Sequence, residues 1–123
     1  MGRHVLLIED EPHIAEAIRF ILIRDGWTVA SHDQGTDALD VVRAERPDVL
    51  ILDVMLPGRS GYDILRALRA EPATAALPVL MLTARGQERD RDMAAMAGAS
   101  RFMAKPFSNA EVLASVRALV GEG

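Results

Sequence analysis

The chain has 123 residues, the length of one compact domain, and a formal net charge of -4 at pH 7. It contains no cysteine, which excludes a disulfide framework and any cysteine-based metal site or nucleophile. The acidic balance argues against direct nucleic-acid binding, and no apolar run approaches the roughly 20 residues of a membrane span. With no signal-peptide pattern, we expect one domain over residues 1–123, with its core at 4–120, in a reducing cytoplasmic setting.

Short apolar runs alternate with amphipathic stretches five times along the chain. Continuous apolar runs are typical of strands buried on both faces, whereas apolar residues spaced three and four apart predict helices. The predicted strands cover residues 5–8, 27–31, 49–52, 79–82 and 101–103. The predicted helices begin at or just after Pro12, Gly35, Gly61, Glu88 and the capping residue Ser108. This strict alternation predicts a parallel sheet that is covered by helices on both faces.

The carboxyl ends of four predicted strands each lead into a charged or hydroxyl-bearing side chain. Glu9 and Asp10 follow the first strand, Asp53 the third, Thr83 the fourth, and Lys105 the fifth. Lys105 is the only lysine among 14 cationic side chains, which indicates a site that needs a compact ammonium rather than a planar guanidinium. Open parallel sheets bind ligands beyond the carboxyl ends of their strands, so these groups predict a site for Mg²⁺ and a phosphoryl group.

The acidic residues have two interpretations each. Asp53 is either a nucleophilic carboxylate that accepts a phosphoryl group or a loop acid that solvates a strand end. Glu9 and Asp10 would crowd further negative charge at the same edge, and carboxylates of this kind suit Mg²⁺, with Mn²⁺ as an alternative. The other interpretation is that they provide favourable negative charge near the start of the first helix.

The sequence also allows two interpretations for each of the other candidate site residues. Thr83 could donate its hydroxyl to a phosphoryl oxygen, or it could be an ordinary strand-end residue. Lys105 could bind another phosphoryl oxygen through a charge-assisted hydrogen bond, or it could be an exposed cation. Phe102 is either a core aromatic of the last strand or a ring that changes rotamer when the site is occupied.

Four sequence motifs, taken together and in order, resemble the receiver domains of two-component response regulators. They are residues 5–12 (VLLIEDEP), 52–58 (LDVMLPG) with Ser60 and Gly61, 78–84 (PVLMLTA), and 105–107 (KPF). The resemblance extends over residues 4–120. It implies a flavodoxin-like α/β fold, a doubly wound (βα)5 three-layer sandwich with a five-stranded parallel sheet of order 2-1-3-4-5.

The resemblance also implies how the acidic residues act. Asp53 would be the phosphoacceptor. Asp10 would bind Mg²⁺ directly, Glu9 would act through water, and the backbone carbonyl of Met55 would complete the protein's ligands together with Asp53. The receiver would catalyse phosphoryl transfer to itself, followed by slow hydrolysis, and would not be a conventional turnover enzyme.

For the switch, the resemblance implies that Thr83 and Lys105 bind the phosphoryl oxygens and that Phe102 turns inward in response. The surface formed by the fourth helix, the fifth strand and the fifth helix would then be remodelled. Met55 and Arg85 lie two residues beyond Asp53 and Thr83, where relatives can carry a group that orients an attacking water. Neither side chain suits that role, so we expect a long-lived phosphorylated state.

The expected partners are a phosphohistidine donor, on a sensor histidine kinase or a histidine phosphotransfer protein, and a downstream effector. We favour a bacterial stand-alone receiver that controls another protein, either as a monomer or as a weak phosphorylation-dependent dimer. The main alternative is a receiver domain excised from a longer regulator that carries a DNA-binding or other effector domain. Residues 98–101 (GASR) lack the two aspartates that help many such relatives to dimerise, so dimerisation through that face is in doubt.

Two further classes compete with a working receiver. A phosphate-independent interaction module would keep the fold but lack the acceptor or the lysine, and both are present. A small-molecule phosphatase with an aspartate nucleophile would carry a second acid two residues after it, where this chain has Met55.

Overall fold

A computed structural model describes residues 3–84 and 88–121 of the chain, with the backbone alone at 88–90. The strands are β1 His4–Ile8, β2 Thr28–His32, β3 Val49–Asp53, β4 Val79–Thr83 and β5 Arg101–Ala104. The helices are α1 Pro12–Arg24, α2 Ala38–Glu45, α3 Gly61–Ala70, α4 Glu88–Ala97 and α5 Asn109–Leu119. None of the helices in these ranges is both long enough and apolar enough to cross a membrane.

The five strands form one parallel sheet in the order β2-β1-β3-β4-β5, as the resemblance implied. Alternate residues of each strand enter two separate cores: Leu6 and Ile8 pack on one face, and Val5 and Leu7 on the other. Helices α2, α3 and α4 cover the first face, whereas α1 and α5 cover the second. The predicted three-layer α/β sandwich is therefore confirmed.

Observed strand boundaries differ from the predicted ones by at most one residue, and two of the differences affect the site. Asp53 and Thr83 are the last residues of β3 and β4, so strand pairing fixes their backbones. The predicted second strand began one residue too early, because Trp27 precedes β2. Its indole is 3 % exposed against the core, and Nε1 donates to Asp25 Oδ2 over 3.1 Å.

Arg117 connects α5 to the end of α1 rather than extending alone from the outer surface. Its Nε donates to Asp25 Oδ2 over 3.1 Å, and its Nη2 also donates to that carboxylate. The hydrogen bond from Arg117 holds the pKa of Asp25 below its ordinary value, although partial burial of the carboxyl opposes this. The side chain of Arg117 is thus engaged within its own domain.

Candidate functional site

Strand order brings the predicted site residues to one edge of the sheet. Because β1, β3, β4 and β5 are parallel neighbours, their carboxyl ends meet there. Backbone hydrogen bonds continue the pairing just beyond the strands: Glu9 N donates to His32 O over 3.0 Å, and Lys105 N donates to Thr83 O over 2.7 Å. The backbone of Glu9 and that of Lys105 are therefore fixed by the same kind of hydrogen bond that pairs the strands.

Glu9, Asp10 and Asp53 form an acidic cluster at this edge. One carboxylate oxygen from each lies within 4.8 Å of the others. Glu9 and Asp53 are each 3 % exposed, whereas Asp10 is open to solvent. Glu9 Oε2 accepts a hydrogen bond from the backbone N–H of Glu11 over 3.0 Å, which fixes the buried carboxylate in place. The cluster thus combines two buried acids with one that faces outward.

The ammonium group of Lys105 lies between the two buried acids. Its Nζ is 2.8 Å from Glu9 Oε1 and 3.3 Å from Asp53 Oδ1. The contact with Asp53 is a hydrogen bond, whereas that with Glu9 is an ion pair in which Oε1 has no aligned donor. Lys105 is therefore a partly buried counter-ion and not the exposed cation of the alternative interpretation.

Asp53 is surrounded by more negative than positive charge. Burial, together with the negative charge of Glu9, raises the pKa of Asp53 to about 7 despite the opposing effect of Lys105. Burial also opposes ionisation of Glu9, but the close ammonium of Lys105 and the hydrogen bond from the Glu11 N–H outweigh it and lower the pKa of Glu9. Lys105 contacts two of the three carboxylates, so the cluster keeps an excess of negative charge and favours a second positive charge.

Thr83 and Phe102 lie on the same face of the sheet. In the β4–β5 register Thr83 pairs with Ala104 and Met81 pairs with Phe102, and alternate residues of a strand share a face. Thr83 is 5 % exposed, and Phe102 is half-buried against the core beneath α2, α3 and α4. The two residues thus occupy diagonal positions on adjacent strands, on one face of the sheet.

Two positions, Met55 and Arg85, were predicted to affect the lifetime of the phosphorylated state, and only Met55 lies among the described residues. The side chain of Met55 is 73 % exposed, two residues beyond Asp53 in the chain. Arg85 lies outside the described residues. The functional roles assigned to these and the other site residues stay predictions.

Gly61 is a supporting residue whose role sequence reasoning missed. The chain folds back after β3, and Gly61 N donates to Val54 O over 2.9 Å. A Cβ at position 61 would overlap the carbonyl oxygen of Asp53, and it would lie 3.0 Å from Met81 Cε. The only sequence signal was a glycine directly after Ser60, whose side chain caps α3. Glycine here allows α3 to begin against the backbone of the proposed acceptor.

Substitution of Gly61 by alanine should lower the free energy of unfolding by about 2 kcal/mol, because the added methyl group must displace the Asp53 backbone. Urea denaturation would measure the change. Gly121→Ala is the comparison: no atom lies within 4 Å of its added methyl group, but its φ of +81° disfavours a side chain, so any loss there measures backbone strain without overlap. Equal stability of Gly61→Ala and wild type would mean that the β3–α3 loop relaxes without cost.

The acidic cluster fits a magnesium ion by its donor chemistry. Magnesium prefers oxygen ligands, usually one or two carboxylates with waters and phosphate oxygens. The cluster offers three carboxylates at compatible separation, one of them facing solvent, and burial together with the charge of Glu9 raises the pKa of Asp53. No cysteine or histidine is part of the cluster, so softer metals are not favoured.

Comparison with known proteins identifies the same kind of domain. The family model for the response regulator receiver domain matches residues 5–117. The Probable transcriptional regulatory protein TcrX of Mycobacterium tuberculosis is 43 % identical over 116 residues, which cover 94 % of this chain and 49 % of that protein. The chain therefore spans about half the length of this curated relative.

Solved structures agree with the sequence comparison. A response regulator from Chloroflexus aurantiacus superposes with a TM-score of 0.93 at 34 % identity, covering 98 % of both chains. The receiver domain of the sensor histidine kinase PA1611 from Pseudomonas aeruginosa gives a TM-score of 0.89 at 30 % identity, covering 98 % of this chain and 99 % of that one. In that structure a magnesium ion is coordinated in the active-site cleft.

Proposed function

Because the chain belongs to the response regulator receiver domain family of two-component signalling, we propose that Asp53 accepts a phosphoryl group from a phosphohistidine donor in a Mg²⁺-dependent reaction. The observation that carries this proposal is a buried Asp53 that contacts Lys105 and lies beside Glu9 and Asp10. Ordinary surface acids do not share one ammonium at the edge of a parallel sheet. The cluster supplies the charges that phosphoryl transfer needs.

In the transfer step, a carboxylate oxygen of Asp53 forms a bond to phosphorus while the phosphorus–nitrogen bond of the donor breaks. The bonding electrons leave with the imidazole, and the product is an aspartyl phosphate. Lys105 is close enough to Asp53 to follow the new charge, since its Nζ already lies 3.3 Å from Oδ1. Thr83, buried at the end of β4, supplies a hydroxyl to another phosphoryl oxygen.

The residues that would hold Mg²⁺ are Asp10 and Asp53 directly, the backbone carbonyl of Met55, and Glu9 through water. The ion would supply positive charge to the phosphoryl oxygens and relieve the repulsion between the carboxylates. Asp10 suits direct binding because its side chain faces solvent. Glu9 is buried and already engaged by Lys105 and by the Glu11 N–H, which suits an indirect role.

We further propose that phosphorylation changes the surface made of α4, β5 and α5. A phosphoryl group adds about -1.5 to -2 charge and three acceptor oxygens, to which Thr83 and Lys105 respond. Phe102 lies on the same sheet face as Thr83 and so can change packing with it. The change is a population shift between two arrangements, and it would control an effector that is either a separate protein or a fused domain. Transcriptional output, as the name of TcrX suggests, is one such case.

The proposal is tested by measuring intact mass after incubation with Mg²⁺ and acetyl phosphate. We expect the gain of one phosphoryl group, lost in Asp53→Asn and lost when a chelator removes Mg²⁺. Asp63→Asn is the matched control, because Asp63 is an exposed acid of α3 paired with Arg66. No gain under saturating Mg²⁺, or undiminished gain in Asp53→Asn, would contradict the proposal and favour a phosphate-independent interaction module.

The rate of phosphate loss should depend on positions 55 and 85. Met55→Asn combined with Arg85→Glu should accelerate dephosphorylation on the order of tenfold, because an amide and a carboxylate can orient the attacking water. Decay of the phosphorylated protein after removal of acetyl phosphate measures the rate. Met93→Asn, an exposed methionine on α4, serves as control, and an unchanged decay rate in the double variant would show that these side chains do not set the lifetime.

A further inference from the structure

Phe102 has a second contact, away from the acidic cluster. The guanidinium of Arg91, from α4, lies over its ring with Cζ 5.5 Å from the ring centroid. This distance is within the range of cation–π attraction. Phe102 is half-buried and Arg91 is exposed, so the ring is enclosed by the core on one side and covered by a solvated cation on the other.

Helix α4 packs weakly on the sheet from residue 91 to its end. Its buried side chains in that stretch are only Ala94 and Ala97, while Met93 and Met96 are 40 % and 88 % exposed. Two alanines bury little apolar surface, so this part of the helix gains little stability from the core. Polar and cation–π contacts at the edges of α4 therefore contribute a larger fraction of the interactions that fix its position.

The C-terminal end of α4 is anchored separately from the rest of the helix. Arg69 Nε donates to Gly98 O over 2.8 Å, and its Nη2 donates to Ser100 Oγ over 3.3 Å. The same arginine also donates to Leu77 O over 2.6 Å, which ties the α3–β4 loop to the end of α4. Arg91 lies about two turns before this anchor, so its contact with Phe102 restrains the part of α4 nearer the proposed phosphorylation site.

We propose that Arg91 latches Phe102 and α4 in the arrangement of the unphosphorylated receiver, and this rests on the function proposed above. The latch is observed together with the direct contacts of Lys105 to Glu9 and Asp53. When the ring turns inward it leaves the guanidinium, and the cation–π attraction is lost. Arg91 therefore opposes the switch and sets how much phosphorylation is needed to remodel the surface.

Thermodynamic linkage gives the latch a measurable consequence. A contact made only in one arrangement lowers the apparent affinity of any ligand that selects the other. Beryllofluoride with saturating Mg²⁺ is the probe, because it mimics the phosphoryl group on a carboxylate. Arg91→Gln should bind it about two- to fivefold more tightly than wild type by calorimetric titration, the range expected for losing one exposed cation–π contact.

Two further variants separate the latch from general effects of losing an arginine. Arg24→Gln removes another cation–π contact at the same 5.5 Å distance, on Phe20 of α1, and should leave the affinity unchanged. In a Phe102→Leu background, Arg91→Gln should also have no effect, because the ring that it holds is gone. An effect of equal size in that background would mean that Arg91 acts by another route.

A second measurement needs no phosphoryl analogue. Amide hydrogen exchange in α4 should be faster in Arg91→Gln than in wild type, while exchange in α3 stays the same. Unchanged or slower exchange in α4, or unchanged or weaker beryllofluoride binding, would overturn the latch. If wild type itself fails to bind beryllofluoride with Mg²⁺, the proposed function fails, and the exchange measurement still decides whether Arg91 restrains α4.

Discussion

Replacing Asp53 by asparagine is expected to stabilise the Mg²⁺-free protein by about 1–3 kcal/mol at pH 8, and by several-fold less at pH 4.5. Burial and the charge of Glu9 raise the pKa of Asp53 from 3.8 to about 7. Below pH 3.8 the carboxyl is protonated in both the folded and the unfolded state. Between that pH and pH 7 the unfolded chain ionises while the folded protein keeps its proton, so stability falls as pH rises.

Asparagine removes this cost because it cannot ionise. A pKa raised from 3.8 to about 7 corresponds to roughly 4 kcal/mol as an upper limit, and the weaker hydrogen bond from Lys105 to an uncharged amide oxygen reduces the gain. Urea denaturation in a chelating buffer at the two pH values measures the difference between wild type and variant. Asp63→Asn, at an exposed acid, should change stability by less than about 0.5 kcal/mol.

An Asp53→Asn variant that is no more stable than wild type at pH 8 would show that the negative charge of the site is already balanced. The effect of added Mg²⁺ on stability is an independent test of the repulsion between these carboxylates. It should stabilise wild type more than the variant, because Asp53 is one of the three carboxylates whose repulsion the ion relieves.

Replacing Lys105 by methionine should destabilise the protein, by an amount comparable to the stabilisation expected from Asp53→Asn. We expect a loss of about 2–4 kcal/mol at pH 8 without Mg²⁺, because two buried carboxylates would be left without their shared cation. Methionine keeps an unbranched apolar chain of similar length, so the loss reports mainly the ammonium group. Saturating Mg²⁺ should recover part of it.

A double-mutant cycle tests whether the cost arises from charge. In the Asp53→Asn background, Lys105→Met should cost about 1–2 kcal/mol less than in wild type, since one of the two carboxylates is gone. Arg66→Met, at an exposed i,i+3 pair on α3, is the control for removing a cation. An equal cost in both backgrounds would mean that the stem of Lys105 acts through packing instead.

The sequence predicted the architecture of the sheet and the edge at which the site lies. Five apolar runs, each followed by a helical pattern, are local signals, and right-handed crossovers leave few ways to arrange them. The ends of those runs could be located to about one residue, which was enough to group Glu9, Asp53, Thr83 and Lys105. The resemblance added the strand order, which the structure confirms.

Burial within the site could not be predicted in the same way. Glu9 and Asp10 are adjacent in sequence, yet Glu9 is buried and Asp10 is exposed, because the backbone bond from Glu9 to His32 on β2 sets which side chain points inward. Gly61 looked like an ordinary loop residue, and only its close approach to the Asp53 carbonyl explains why it has no side chain. Both features depend on elements that a local pattern does not contain.

The sequence by itself therefore determined which groups this protein brings to the edge of its sheet, because strand periodicity and strand ends are encoded within a few residues. The tertiary structure alone decided their electrostatics. Lys105 and Asp53 are 52 residues apart in the chain, and Arg91 reaches Phe102 from a different element. The pKa of a buried carboxylate and the restraint on a ring are sums over such distant neighbours, so they exist only once the chain has folded.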